Sequence, residues 1–267
     1  HWLASGSSAR LTTLPESPEE LVWSPDGESI AFTMDVAEKP ASFSQRPDKP
    51  EGADWADKPR VTTRLYHEAD GSGYLDPAFS QIFVVPAEGG TARQLTQGPF
   101  NHYGPAWTQN GKAIVVAGNR REDWQHDYRN DELYRVMVAD SSVVALTETS
   151  GPDRDPAFSP DGQHLAWLGF KDKRQAFQPT QLRVARADGS EPRDLLAELD
   201  RSVQAFHWSA DGQGIYFQYD DQGRTRIGYS GLAGEWEERA IDLGGTSIGR
   251  PYAGGSFTVA TDGTLAY

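Results

Sequence analysis

The sequence contains no cysteine. That absence removes disulfides, thiol catalysis and thiolate metal sites together, and it suits cytoplasm or periplasm without choosing between them. No apolar run approaches the roughly 18 residues that a membrane-spanning helix needs. Basic residues are scarce: 25 Lys and Arg against 39 Asp and Glu leave a formal charge of −14. So acidic a chain is repelled by phosphate backbones and anionic lipid, which argues against nucleic acid and membrane surfaces as partners and favours cationic ligands. Long helical periodicity is missing as well. Hydrophobic residues make up only 37% of the chain, yet they recur too regularly for disorder.

What is present is a repeat. Asp155-Pro-Ala-Phe-Ser-Pro-Asp-Gly162 followed by Gln-His-Leu165-Ala-Trp167 reads as a strand, a tight turn and a second strand. Pro160 presets φ for the turn, Asp161 can bond its own backbone, and Gly162 takes a conformation that a side chain resists. Related hairpins surround Ser24-Pro-Asp-Gly27, Thr108-Gln-Asn-Gly111, Ser209-Ala-Asp-Gly212 and Thr261-Asp-Gly263. The turn glycines are spaced by 84, 51, 50 and 51 residues, a period near fifty with one insertion of about 34. After each complete hairpin comes a second strand pair, beginning at Gln81, Glu132, Gln181 and Arg226. Four short strands per period make one blade, so the fold class is all-β, a β-propeller. Boundaries follow: blades at about 17–100 with an insertion at 35–80, then 101–150, 151–200, 201–247, and a fifth starting at 248. The lead-in, residues 1–16, carries Leu11 and Leu14 into a strand completed elsewhere. In the insertion, Pro40, Pro47, Pro50 and Pro59 mark an irregular exposed loop, and Arg60-Val-Thr-Thr-Arg-Leu-Tyr66 is expected to be a strand. A chain of about four and a half blades has a raw sheet edge, and propellers close to avoid one. The expectation is part of a larger propeller on a longer polypeptide.

No catalytic constellation emerges. Gly245-Thr-Ser-Ile-Gly249 matches a nucleophile elbow in letters, but Arg250-Pro251 follows at once and no histidine lies beyond His207. His67, His102, His126, His164 and His207 lack the spacing of a metal helix, so no metal or other cofactor is expected. The turn carboxylates Asp26, Asp161, Asp211 and Asp262 are explained by local capping. Acidic doublets stand at Glu19-Glu20, Glu122-Asp123, Asp220-Asp221 and Glu237-Glu238. Such a pair serves glycoside hydrolysis or holds an amine, and more commonly it is a solvated surface. Blade topology puts the insertion, residues 119–130 and the links 101–103 and 153–155 on one face. Glu122, Asp123, Trp124, Asp153 and Asp155 are therefore the candidate substrate-binding residues, with Glu122 or Asp123 holding an ammonium group.

The Ser-Pro-Asp-Gly repeats resemble those of TolB-like propellers. More specifically, Arg60-Val-Thr-Thr-Arg-Leu-Tyr, Asp70-Gly-Ser-Gly-Tyr-Leu and Gln81-Ile-Phe-Val-Val-Pro-Ala-Glu-Gly-Gly-Thr-Ala-Arg-Gln-Leu-Thr96 resemble the first blade of bacterial prolyl oligopeptidase-family serine peptidases. Asn119-Arg-Arg-Glu-Asp-Trp124 and Leu243-Gly-Gly-Thr-Ser-Ile-Gly-Arg-Pro-Tyr252 are similar to the acylaminoacyl and dipeptidyl branch. The resemblance implies an N-terminal propeller that gates short peptide substrates for a C-terminal α/β-hydrolase domain of the same polypeptide. The triad would lie in that domain, so no catalytic residue is carried over to this chain. The glutamate pair that binds the free amine in dipeptidyl relatives matches none of the doublets here. The alternatives are a non-enzymatic TolB-like propeller binding protein partners in the cell envelope, and a propeller glycosidase. For compartment, the expectation leans to the periplasm of a bacterium.

Overall fold

In the computed structural model, which describes residues 5–38, 47–56, 61–244 and 255–267, the five turn glycines all take left-handed φ, from 66° to 83°. The side chains around them close the turn. Ser159 Oγ donates to Asp161 Oδ1 at 2.5 Å and accepts the His164 N–H at 2.9 Å, while Gln163 N–H donates to the same Asp161 oxygen at 3.0 Å. Ser24 with Asp26 and Ser209 with Asp211 repeat the pattern, and Thr108 with Asn110 is its uncharged version. The serine hydroxyl and a backbone N–H hold Asp26, Asp161 and Asp211 below the usual carboxylate range.

These turns join the first two strands of each sheet. The first sheet comprises β1 (Glu19–Trp23) and β2 (Ser29–Ala37). The insertion follows, with a small hairpin of β3 (Glu68–Ala69) and β4 (Gly73–Tyr74), before β5 (Ala78–Pro86) and β6 (Arg93–Gln94) complete the sheet. The second holds β7 (His102–Trp107), β8 (Ala113–Gly118), β9 (Glu132–Met137) and β10 (Val143–Ala145). The third holds β11 (Asp153–Phe158), β12 (His164–Gly169), β13 (Gln181–Arg186) and β14 (Arg193–Asp194). The fourth holds β15 (Val203–Trp208), β16 (Gly214–Asp221), β17 (Arg224–Gly231) and β18 (Trp236–Ile241). A final pair, β19 (Thr258–Val259) and β20 (Leu265–Ala266), starts a fifth. Each four-stranded sheet is a sequential antiparallel meander, as the β-propeller reading requires.

The core lies between the sheets. Ala31, Ile82 and Val84 of the first meet Ile114, Val116 and Val136 of the second. Val115, Ala117 and Leu133 meet Leu165, Trp167 and Ala185, and Leu182 and Val184 meet Ile215 and Phe217. Sheets covered on both faces explain why β8 is apolar along its whole length and buried throughout, instead of alternating.

Two expectations change. The pairing of β2 with β5 continues through Asp35↔Ser80 to Ala37↔Ala78, so the ladder runs into the segment read as insertion. Of the strand expected over Arg60–Tyr66, residues 61–66 carry no ladder, and Arg60 lies outside the described residues. Side chains fix this segment instead. Arg64 binds Glu38 and Ala78 O, and its guanidinium sits 4.0 Å above the Phe79 ring.

Candidate functional site

The inserted segment docks on the second blade. Leu65 N–H donates to Gln125 Oε1 at 2.8 Å. Tyr66 stacks on Trp124 with centroids 6.4 Å apart and leans on Tyr128 at 5.5 Å, while Phe79 meets Trp124 edge-on at 6.0 Å. At the foot of the insertion, Ser80 N–H donates to Asn101 Oδ1 at 2.9 Å. Loop 119–131 abuts the next link, because Gly151 N–H donates to Asn130 Oδ1 at 3.1 Å and Asp153 N–H to Asp131 O at 2.8 Å. The insertion, this loop and both links therefore gather at one end of the blades. Glu122 and Asp123 are exposed there, and Trp124 is half-buried beneath Tyr66. Asp123 accepts from Arg121 Nε at 3.1 Å, which holds its carboxyl low. Beside them a hollow of about 340 Å³ opens between Tyr128 and Arg129 of this loop and Asp172 and Arg174 of the next blade.

Asp153 is fully buried, inside the blade. One oxygen accepts from Trp167 Nε1 at 2.8 Å and from Arg183 at 3.2 Å; the other accepts from Thr149 Oγ1 at 2.8 Å. Its charge is matched by Arg183, whose guanidinium lies 5.3 Å over the Trp167 ring. Nearby, Asp131 is gripped by Arg154 through Nε at 3.0 Å and a terminal nitrogen at 2.7 Å. Burial, reinforced by Asp131, pushes the Tyr103 hydroxyl far up, so it stays protonated. Glu132 is buried too, accepts from Thr147 Oγ1 at 2.5 Å, and is pushed up to about 7, mainly by desolvation. This network ties the second blade to the third.

Asp155 occupies a third environment. The first strands of the four-stranded sheets carry an irregularity, at one offset from the turn glycine in the first three, between Glu19 and Val22, Tyr103 and Ala106, and Arg154 and Ala157, and slightly earlier in the fourth, between Val203 and Ala205. Three residues seven positions before a turn glycine take left-handed φ there: Glu20 at 49°, Gly104 at 61° and Asp155 at 54°. Such bulges aim a residue off the ladder. Glu20 Oε2 accepts the Gly104 N–H at 2.9 Å, linking one bulge to the next. Asp155 borders a cleft of about 440 Å³ with Gly104, Pro105, Pro156, Phe206 and His207. Desolvation raises its carboxyl, with Arg154 pulling the other way.

Of the five residues singled out from the sequence, Glu122, Asp123 and Trp124 thus share a rim with the insertion. Asp155 lines the cleft along the first strands, and Asp153 belongs to the interior. The Gly245–Gly249 motif lies outside the described residues. Sequence reasoning missed Glu20, read only as half of a solvated doublet, and the Tyr103–Asp131–Arg154 contact. The signal for Glu20 was its offset of seven from Gly27, shared with Asp155 and Gly162. Among the described residues no group of three or more His, Asp or Glu is arranged to hold a metal, and no helix is long and apolar enough to cross a membrane.

No protein-family model matches the chain. It is 27% identical over 245 residues, 86% of its length, to the uncharacterized peptidase YuxL of Bacillus subtilis, of which it covers 36%. It is 22% identical over 220 residues, 77% of its length, to dipeptidyl-peptidase 5 of Porphyromonas gingivalis, of which it covers 31%. The chain therefore spans about a third of the length of these curated relatives. Among solved structures, acylaminoacyl peptidase of Pyrococcus horikoshii superposes with a TM-score of 0.64 at 16% identity, over 89% of this chain and 34% of that one. A putative TolB of Agrobacterium tumefaciens gives 0.50 at 19% identity, over 85% and 82%. These structural likenesses bear out the fold, and the sequence matches bear out the resemblance drawn from the insertion and interblade segments: the chain is a β-propeller similar in sequence to bacterial proteins named as peptidases.

Proposed function

We propose that the chain is the substrate-gating and positioning propeller of a serine exopeptidase or oligopeptidase acting on short peptides. Catalysis is supplied by an α/β-hydrolase domain of the same polypeptide. The observation that carries this reading is the match to the peptidase YuxL along 86% of the chain, which leaves most of that relative's length for other parts. The acidic surface supports it, since a net charge of −14 attracts the ammonium group of a peptide. In this reading Glu122 and Asp123 hold that group at the rim through charge-assisted hydrogen bonds. Asp123 shares its charge with Arg121, so Glu122 is the more available anion. Trp124 and Tyr66 supply the apolar wall beside it, and Asp155 presents a carboxylate to whatever occupies the cleft.

The test is the double variant Glu122→Gln, Asp123→Asn in the full-length protein. For a peptide with a free amino terminus, KM rises about tenfold with kcat unchanged, the effect of losing one charge-assisted bond. An amino-terminally acylated peptide shows no change. Equal KM values for parent and variant with the free-amine peptide would remove this rim from substrate binding. A second reading, a non-enzymatic propeller that binds protein partners in the cell envelope, draws on the likeness to TolB over 82% of that chain. At 19% identity that likeness speaks to the fold alone.

A further inference from the structure

Among the described residues the first blade has a sheet against it on one flank only. On the other flank it is met by the lead-in, whose Leu11 and Leu14 pack on Ile30, Phe32 and Val85. Leu11 makes there the contacts that the end of a fourth strand makes elsewhere. Gly90 N–H donates to Leu11 O at 3.0 Å, and a Cβ on Gly89, at φ 93°, would stand 2.6 Å from that carbonyl. By the same measure Gly189 stands 3.2 Å from Leu146 O, and Gly234 stands 2.8 Å from Leu195 O. Leu146 and Leu195 directly follow β10 and β14, and each donates its N–H to the neighbouring third strand, to Leu133 O and Leu182 O. Side chains agree. Leu146 packs on the cluster of Leu165, Trp167 and Ala185, and Ile30 and Val85 are paired in the first blade as Leu165 and Ala185 are in the third. So does spacing: Leu11, Leu95 and Leu146 each stand 16 residues before a turn glycine, followed by Thr12, Thr96 and Thr147.

The inner end of this flank is open. Leu21 and Trp23 on β1 are each 60% exposed, whereas Trp107, at the same place in the second blade, is 9% exposed. The Trp107 indole donates to Val22 O at 3.2 Å, and the Trp208 indole to Ala157 O at 3.1 Å. Among the described residues the Trp23 indole has no such acceptor.

We propose that the lead-in around Leu11 is the fourth strand of a ring-closing blade, and that Leu21 and Trp23 receive the first strand of that blade from the same polypeptide. The repeat fixes its details. Trp23 Nε1 donates to the carbonyl five residues before that blade's turn glycine, the place Val22 and Ala157 hold before Gly27 and Gly162. Thr12 Oγ1 accepts an N–H from its third strand, as Thr96 accepts from Ile82 and Thr147 from Leu133, both at 2.9 Å. In that third strand a Gln or Glu stands just before the residue that donates to Thr12, matching Gln81 before Ile82 and Glu132 before Leu133. A complete blade from a second copy would bring its own fourth strand into the space Leu11 holds. Only a three-stranded blade fits, and it is required in the polypeptide whose lead-in supplies the fourth.

The cysteine-free sequence allows a direct test in the full-length protein, with any cysteine elsewhere replaced by serine. Leu21→Cys is reacted with a maleimide and compared with Phe177→Cys, at a residue 77% exposed. The expected result is labelling at Leu21→Cys at least about tenfold slower, at every protein concentration, because reaction waits for the blade to open. Adding Leu11→Asp restores fast labelling while the strand circular dichroism is kept. Equal rates at the two cysteines overturn the proposal. Protection lost on dilution also overturns it, in favour of a second copy, and an unchanged rate in the folded Leu11→Asp variant removes the lead-in from the closing blade.

Discussion

Glu132 makes the stability of the second blade depend on pH, and one substitution isolates the effect. Its counterpart in the first blade is Gln81, also buried and also accepting a threonine hydroxyl, from Thr96 at 2.7 Å. Desolvation, with Asp153 and Glu148 adding to it, raises the Glu132 carboxyl from 4.5 to about 7 despite the bonds from Thr147 and Thr149. Below pH 4.5 the group is protonated in folded and unfolded chains alike and costs nothing. Between 4.5 and 7 the unfolded chain has released the proton and the folded one retains it, so stability falls as pH rises. The full loss, about 3 kcal/mol, is reached above pH 7. Glu132→Gln removes this dependence. Urea unfolding at pH 4.5 and at pH 8 should show the variant gaining about 3 kcal/mol on the parent between the two conditions, whatever constant offset the amide introduces. An equal difference at both pH values would refute the reasoning and mean that Glu132 takes up and releases its proton in the folded protein as it does in the unfolded chain.

Other variants probe neighbouring contacts. Asp153→Ala leaves the Trp167 indole without an acceptor and takes from Arg183 one of its two carboxylate partners, Asp194 remaining at 3.1 Å; chemical denaturation should register a loss of about 1–3 kcal/mol. Trp124→Ala removes the ring contacts with Tyr66 and Phe79, each worth about 1 kcal/mol, so limited proteolysis should cut the insertion faster while the melting temperature of the blades stays nearly constant. Trp208→Phe deletes the indole bond to Ala157 O and should cost about 1 kcal/mol in urea unfolding.

The architecture was legible because its signal is local. Ser159, Asp161 and Gly162 satisfy one another within a few residues, so the turn can be read from letters alone, and its recurrence gives the period. The site was legible only where position in the blade decided it. Loop 119–131 does share an end with the insertion, as blade topology requires. The fate of Asp153 was hidden, because it depends on Trp167, 14 residues on, and Arg183, 30 residues on; nothing near a link residue announces that a guanidinium will neutralise it. The segment ending at Tyr66 read as a strand from its β-branched residues. Arg64 and Leu65 instead spend their bonds on Glu38, Ala78 and Gln125, a tertiary choice that overrides propensity. Asp155 was singled out for its place in a link, whereas the bulge that turns it toward the cleft became visible only once Glu20 and Gly104 were seen to share its backbone.

The central claim, a gating propeller in a serine peptidase, is tested most directly on the native gene product. Its intact mass is measured, and the protein is treated with a fluorophosphonate probe that labels activated serines. The account predicts a polypeptide more than twice the length of this chain that takes the label outside residues 1–267. An unlabelled product that ends within a few blades of Tyr267 would contradict it.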